Sequence, residues 1–206
     1  MPRPRFEKLD KDKQSRILEA AAKEFSANGF ENASLNQILD AAGISKGAAY
    51  YYFDDKADLY TTTLLHYMNE ILNEIAFDVN HFTKENFWQE VAALYKQQFK
   101  LYFDRPWVFG IAKAGGPISM EMIENEPYAS VWQSAQVLLI QLFQRGRELN
   151  VIRDDLPEDL LQSLLVSVDM AHDRWLFAHW AEFSAPDIDQ AAQSIANLLE
   201  RLLKPV

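Results

Sequence analysis

Apolar residues recur three and four positions apart along nearly the whole chain, and no stretch alternates convincingly with period two. A chain patterned this way buries stripes of helices against one another, so the expected fold is all-α with about nine helices. Ile17, Leu18, Ala21 and Phe25 form the first stripe, stopped at Asn28-Gly29. Ser34 is placed to cap a short helix from Leu35 to Ala42, closed by Gly43, and Ser45 to cap a second one running to about Phe53. Asp54 and Asp55 open a long helix over about 55–77. Further helices are expected at about 84–103, 106–113, 127–149, 157–181 and 187–203, punctuated by Pro106, Gly115-Gly116-Pro117, Pro127, Asn150, Pro157 and Pro186.

Composition narrows what such a bundle does. Half the residues are hydrophobic and a quarter charged, too apolar for disorder, and no apolar run approaches the roughly 18 residues that span a bilayer. The basic start, Met1-Pro2-Arg3-Pro4-Arg5, is followed by no apolar segment of the secretory kind, so a cytoplasmic location without membrane association is expected. Cys is absent, which removes disulfides and thiolate chemistry. The net charge of -10 disfavours indiscriminate nucleic-acid binding, but it is unevenly spread. Residues 1–16 carry six basic side chains against three acidic ones, whereas residues 61–206 hold 11 Lys and Arg against 20 Asp and Glu. This asymmetry suits a protein that meets DNA at one end only.

The segment Ser34–Tyr50 reads as two short helices joined by a tight turn. Gly43 supplies the positive φ, Ile44 an apolar plug, and Ser45 a cap that leaves helix N–H groups facing outward for a phosphate. Gly47 and Ala48 are small, which suits close entry into a major groove. Tyr50, Tyr51, Tyr52 and Phe53 are too many consecutive aromatics for all to be buried on one helix. The competing reading is a surface hairpin whose tyrosines merely pack.

The run Ala42-Gly43-Ile44-Ser45-Lys46-Gly47-Ala48-Ala49-Tyr50-Tyr51-Tyr52-Phe53-Asp54-Asp55-Lys56-Ala57-Asp58-Leu59 resembles the signature of the TetR family of bacterial transcriptional regulators. Ile17-Leu18-Glu19-Ala20-Ala21, Phe25 and Asn28-Gly29-Phe30 are similar to that family's first helix. The resemblance covers about residues 13–65. It implies a helix-turn-helix DNA-binding domain over 1–54 and a helical ligand-sensing and dimerisation domain over 55–206. It implies that Ser34, Ser45, Tyr50, Tyr52 and Lys56 hold phosphates, and that Lys46, Gly47, Ala48 and Tyr51 lie nearest the bases. Ala49 stands where the family usually has a larger apolar residue, and Tyr52 where His is frequent. Arg3 and Arg5 read either as an arm for an adjacent minor groove or as a solvated tail.

Two heads about 34 Å apart would meet successive major grooves of one DNA face, which calls for a homodimer and a palindromic operator. Ile188, Ala191, Ile195, Leu198 and Leu202 repeat with steps of three and four, as in a helix–helix seam. The family resemblance implies a dimer interface from the helices at 157–181 and 187–203, to which Leu161 and Leu165 are also assigned. Ala192 and Leu199 widen the stripe, so the chain's own core also has a claim on this helix.

Between head and seam lies a dense set of aromatics. Tyr95, Phe99, Phe103, Trp107 and Trp132 are the expected walls of a ligand site, with Glu121, Asp169, His172 and Asp173 as its polar groups. Asp169, His172 and Asp173 share one helix face. A small apolar or amphipathic effector follows, with a cationic group as an option, and core packing is the competing use of the rings. The expected function is a ligand-responsive regulator, a repressor by family habit, with neither cofactor, metal nor catalytic residue. Alternatives are a ligand-binding module without DNA function, an enzyme using His172 with Asp169 or Asp173, and a metal site from His172, Asp173 and His179. The chain has no nucleophile elbow, phosphate loop or HExxH motif to support the enzyme.

Overall fold

The computed structural model describes residues 2–75, 77–107, 110–111 and 129–205, with the backbone only at 130–132 and 177. Among the described residues there is no strand. The α-helices are α1 (Pro4–Glu7), α2 (Lys11–Asn32), α3 (Leu35–Ala42), α4 (Lys46–Tyr52), α5 (Lys56–Glu74), α6 (Phe87–Asp104), α7 (Ala129–Glu148), α8 (Glu158–His179) and α9 (Asp187–Leu203). Short 3₁₀ turns occupy Val79–His81 and Trp180–Glu182. The expected helix at 106–113 falls partly outside the described residues.

Helix ends follow the local chemistry. Asp10 accepts the Lys13 N–H at 2.8 Å to start α2. Gly29 breaks the helical geometry near the end of α2 with φ 73° and ψ 169°, so the stop at Asn28-Gly29 is a kink from which one more helical turn continues to Asn32. Asp55 Oδ1 accepts the Asp58 N–H at 2.8 Å, and Asp58 Oδ2 accepts the Asp54 N–H at 3.1 Å. This reciprocal pair of acidic caps sits at the positive end of α5.

The chain packs as two compact units. The first comprises residues 1–70 and 105–132, the second residues 71–104 and 133–206. In the first, α2 packs on α3 and α1 on α4. Ile17, Leu18, Ala21, Phe25, Ile38 and Leu39 are among its fully enclosed side chains. Tyr60 donates to the Ile111 carbonyl at 2.9 Å, with its ring edge-on to Phe25. The unit takes in α5 as far as Glu70 and the segment after Asp104.

In the second unit α6 and α9 pack side by side. α9 turns Ile188, Ala192, Ile195, Ala196, Leu199 and Leu203 inward, and α6 turns in Phe87, Val91, Tyr95 and Phe99. Phe143, Leu161, Leu165 and Leu176 complete the same core. After α7, Asn150 takes a left-handed φ of 55°, which returns the chain so that Val151 N–H donates to the Gly146 carbonyl. Arg153 N–H then reaches the Leu203 carbonyl at 2.6 Å, tying this turn to the end of α9.

Candidate nucleic-acid interface and candidate ligand site

The α3–α4 hairpin has the geometry of a helix-turn-helix. Ser34 Oγ accepts the Gln37 N–H at 3.4 Å, and Ser45 Oγ accepts the Ala48 N–H at 3.2 Å. Between them Gly43 sits at φ 67°, ψ 36°, with its N–H on the Asp40 carbonyl and the next N–H, of Ile44, on Leu39. A residue with a Cβ is strained in that conformation, which is why glycine ends α3. α4 then advances about 100° per residue and divides its aromatics by direction. Tyr50 and Tyr51 are 47% and 48% exposed, whereas Tyr52 is 8% exposed and Phe53 is buried with it. Lys46 and Gly47 are exposed at the helix start and Ala48 is half-buried, while Ala49 is enclosed. One face of α4 is thus open and carries a lysine, small residues and two phenols.

Two of the residues expected to hold phosphates have partners within the protein itself. Tyr52 is buried against Phe6, ring centroids 6.3 Å apart. Lys56 spends its ammonium on the carbonyls of Glu31 and Ala33 at 3.0 and 3.3 Å, the free carbonyls at the end of α2, and lies over the Phe30 ring. Ser34 remains half-buried, its own N–H donated to Glu24 Oε1 at 2.8 Å.

The N-terminal segment is neither a loose arm nor a solvated tail. Arg3 N–H donates to the Tyr52 carbonyl at 2.9 Å, and Arg3 Nε and Nη2 donate to Asp54 Oδ1 at 2.9 and 2.7 Å. Phe6 is buried, 4.8 Å from the Phe53 ring. The signal for this docking was Phe6 itself: an aromatic inside a basic segment gains most by leaving water.

Five of the expected ligand residues come together in the second unit. Tyr95 Oη donates to Asp169 Oδ1 at 2.6 Å. The His172 ring stacks on Phe99 at 5.6 Å and lies edge-on to Tyr95. His172 Nδ1 is 3.9 Å from Asp173 Oδ1. Burial, reinforced by the charge of Asp173, pushes the Asp169 carboxyl up to about 7, opposed by the Tyr95 hydrogen bond and by His172. Burial also raises the Tyr95 and Tyr102 phenols well above their ordinary range, with the two carboxylates adding to it. The remaining expectations separate. Phe103 is exposed, and Trp107 belongs to the first unit with Lys23 over its ring. Glu121 and the Trp132 side chain lie outside the described residues. Tyr95 and Phe99 are at the same time members of the unit's core, so packing claims much of their surface. Among the described residues no group of three or more acidic or imidazole side chains is arranged to hold a metal ion, and no helix is long and apolar enough to cross a membrane.

The seam expected on α9 is divided. Ile188 and Ile195 are enclosed in the protomer's own core, as are Leu161 and Leu165 of α8. Ala191 and Leu202 flank that core half-buried, and Leu198 is 50% exposed. Inward packing wins because the α6 face opposite takes the wider stripe that Ala192 and Leu199 provide. The large apolar side chains that α8 and α9 leave in water include Leu160, Trp175 and Leu198.

A capped tight turn between two short helices, with one face of the second helix open, defines a helix-turn-helix, here joined to a body that is helical among the described residues. Residues 17–62 match the family model described as bacterial regulatory proteins, tetR family. The HTH-type transcriptional regulator AcrR of Shigella flexneri is 44% identical over 45 residues, 22% of this chain and 21% of that one. The HTH-type transcriptional repressor AcnR of Corynebacterium diphtheriae is 25% identical over 162 residues, 76% of each chain. AcrR and two further curated relatives are matched over less than half of their length. By fold, the chain is similar to FadR of Bacillus subtilis, solved in complex with stearoyl-CoA, with a TM-score of 0.72, 16% identity, and 90% and 96% of the two chains covered.

Proposed function

We propose that this protein is a transcriptional repressor that binds a palindromic operator as a homodimer and is released by a small apolar or amphipathic effector. The observation that carries the reading is the open face of α4, where Lys46, Gly47, Tyr50 and Tyr51 stand exposed beside a serine-capped helix start. Lysine and phenol groups at that position meet phosphates, and the small residues let the backbone approach base edges. Acid concentrated in residues 61–206 repels DNA from the rest of the chain and so favours a single mode of approach.

In this reading the effector site is built around Tyr95, Phe99, Asp169, His172 and Asp173, with aromatic walls and two carboxylates that suit a molecule carrying a cationic or hydrogen-bonding group. The FadR precedent, a fold relative holding stearoyl-CoA, supports an amphipathic effector. α5 is one helix whose residues up to Glu70 belong to the first unit and whose residues from Ile71 belong to the second. An effector that prefers one conformation of the second unit acts on the head through it by population shift.

The test is selection of bound fragments from random genomic DNA, followed by binding to the recovered duplex across a salt series. A palindrome-dependent, salt-steep shift supports the repressor, and indifference to every duplex at low salt removes it. Candidate effectors are then titrated by tryptophan fluorescence, with Asp169→Asn as the comparison. An affinity for cationic molecules that the substitution leaves intact takes that carboxylate out of the site.

A further inference from the structure

We infer that Arg5 is a phosphate-binding residue of the α4 face, held in place by a docked N-terminal segment. The inference rests on the DNA-binding reading above and adds to it a residue outside the hairpin. The Arg5 guanidinium lies 4.1 Å from the centre of the Tyr51 ring. Tyr51 follows Gly47 by four residues, so it stands one turn further along the same open face of α4. A guanidinium lying over a phenol ring makes no hydrogen bond to it through its five N–H groups, which stay available to bind phosphate oxygens. Arg5 is exposed and has no carboxylate partner among the described residues.

Arg3 does the complementary work. Its guanidinium is spent on Asp54, the second residue past the end of α4, so this acidic charge is offset. The segment between them is secured from several sides. Pro4 presets the first turn of α1, and Phe6 is buried against Phe53. Gln14 Nε2 donates to the carbonyls of Phe6, Glu7 and Leu9 at 3.2, 3.1 and 3.0 Å. The ordering of residues 3–6 is therefore completed on folding and is not charged against DNA binding. Arg5 thus adds a phosphate contact at the C-terminal end of α4, where Tyr52 is buried and Lys56 is hydrogen-bonded to the end of α2.

The experiment measures binding of the full-length protein to a short labelled duplex of mixed sequence between about 50 and 200 mM salt. Wild type, Arg5→Gln, Arg5→Lys and Lys46→Ala are compared, with thermal unfolding of each. The expected result is a weaker Arg5→Gln complex whose slope of log affinity on log salt is smaller by ~0.9 per head, the value of one phosphate contact. Arg5→Lys should recover the slope, and the unfolding midpoint should stay put. A slope unchanged in Arg5→Gln but reduced in Lys46→Ala overturns the role of Arg5 and leaves the DNA-binding reading standing. So does a lowered midpoint with the slope retained, which makes Arg5 a packing residue. If the wild-type protein binds no duplex, both readings fall together.

Discussion

The Tyr95 hydroxyl donates a 2.6 Å hydrogen bond to Asp169 Oδ1, one turn away from the Asp173 carboxylate on the same helix. That bond favours the charged form of Asp169, but burial and the second carboxylate outweigh it and leave the group near pH 7 in the folded protein. In the unfolded chain an aspartate titrates near 3.9. Between those values the folded state holds more protons than the unfolded one, so stability is greatest on the acid side and falls as pH rises through about 7. The unfolding midpoint should drop by several degrees from pH 5.5 to 8, since ~1 kcal/mol shifts a chain of this size by roughly 2–4 °C. Asp169→Asn should flatten that profile. An unaltered slope in the variant would assign the pH dependence elsewhere.

Lys46 and Lys56 differ in what their charges do. Lys56→Ala removes two hydrogen bonds to the end of α2 and a cation over Phe30, and should destabilise the first unit by about 1 kcal/mol. Its salt slope of DNA binding should match wild type. Lys46→Ala should behave in the opposite way, with unfolding unchanged and the salt slope smaller by ~0.9 per head. Denaturant titration and anisotropy on the same preparations separate the two, and an exchange of these phenotypes would invert the orientation assigned to α4.

Gly146 is a site of close approach in α7. A Cβ placed there would lie 2.5 Å from Ile152 Cδ1 and 2.8 Å from Phe87 Cζ. Gly146→Ala should therefore cost about 1–3 kcal/mol by overpacking, despite alanine's better helix propensity. A more stable variant in urea would mean that the Asn150 turn has room to yield.

Leu198 is half in water on α9, so Leu198→Glu should leave the protomer folded. If α8 and α9 join two protomers, it should shift sedimentation toward the monomer and weaken operator binding with it. Ile195→Glu should instead unfold the second unit, because Ile195 is fully enclosed within its own chain. A dimer untouched by Leu198→Glu would place the interface elsewhere.

Helix positions were legible from residue order because they depend on interactions within a few positions. The caps at Ser34 and Ser45, the left-handed Gly43 and the span of α9 all follow from spacing and turn chemistry. The same holds for the meeting of Asp169, His172 and Asp173, which one helix brings together by its own period. Direction around a helix was decided by distant partners. Tyr50, Tyr51 and Tyr52 are chemically identical rings, and it is Phe6 and the packing of α1 on α4 that turn Tyr52 inward beside Phe53. Lys56 looked free until the end of α2 offered it two carbonyls, and Ile195 was as plausible an outward seam residue as Leu198 until α6 packed beside α9. Local order specifies which elements form, since their hydrogen bonds close within a turn. Burial is a contest among all apolar faces at once, and its outcome exists only in the folded chain.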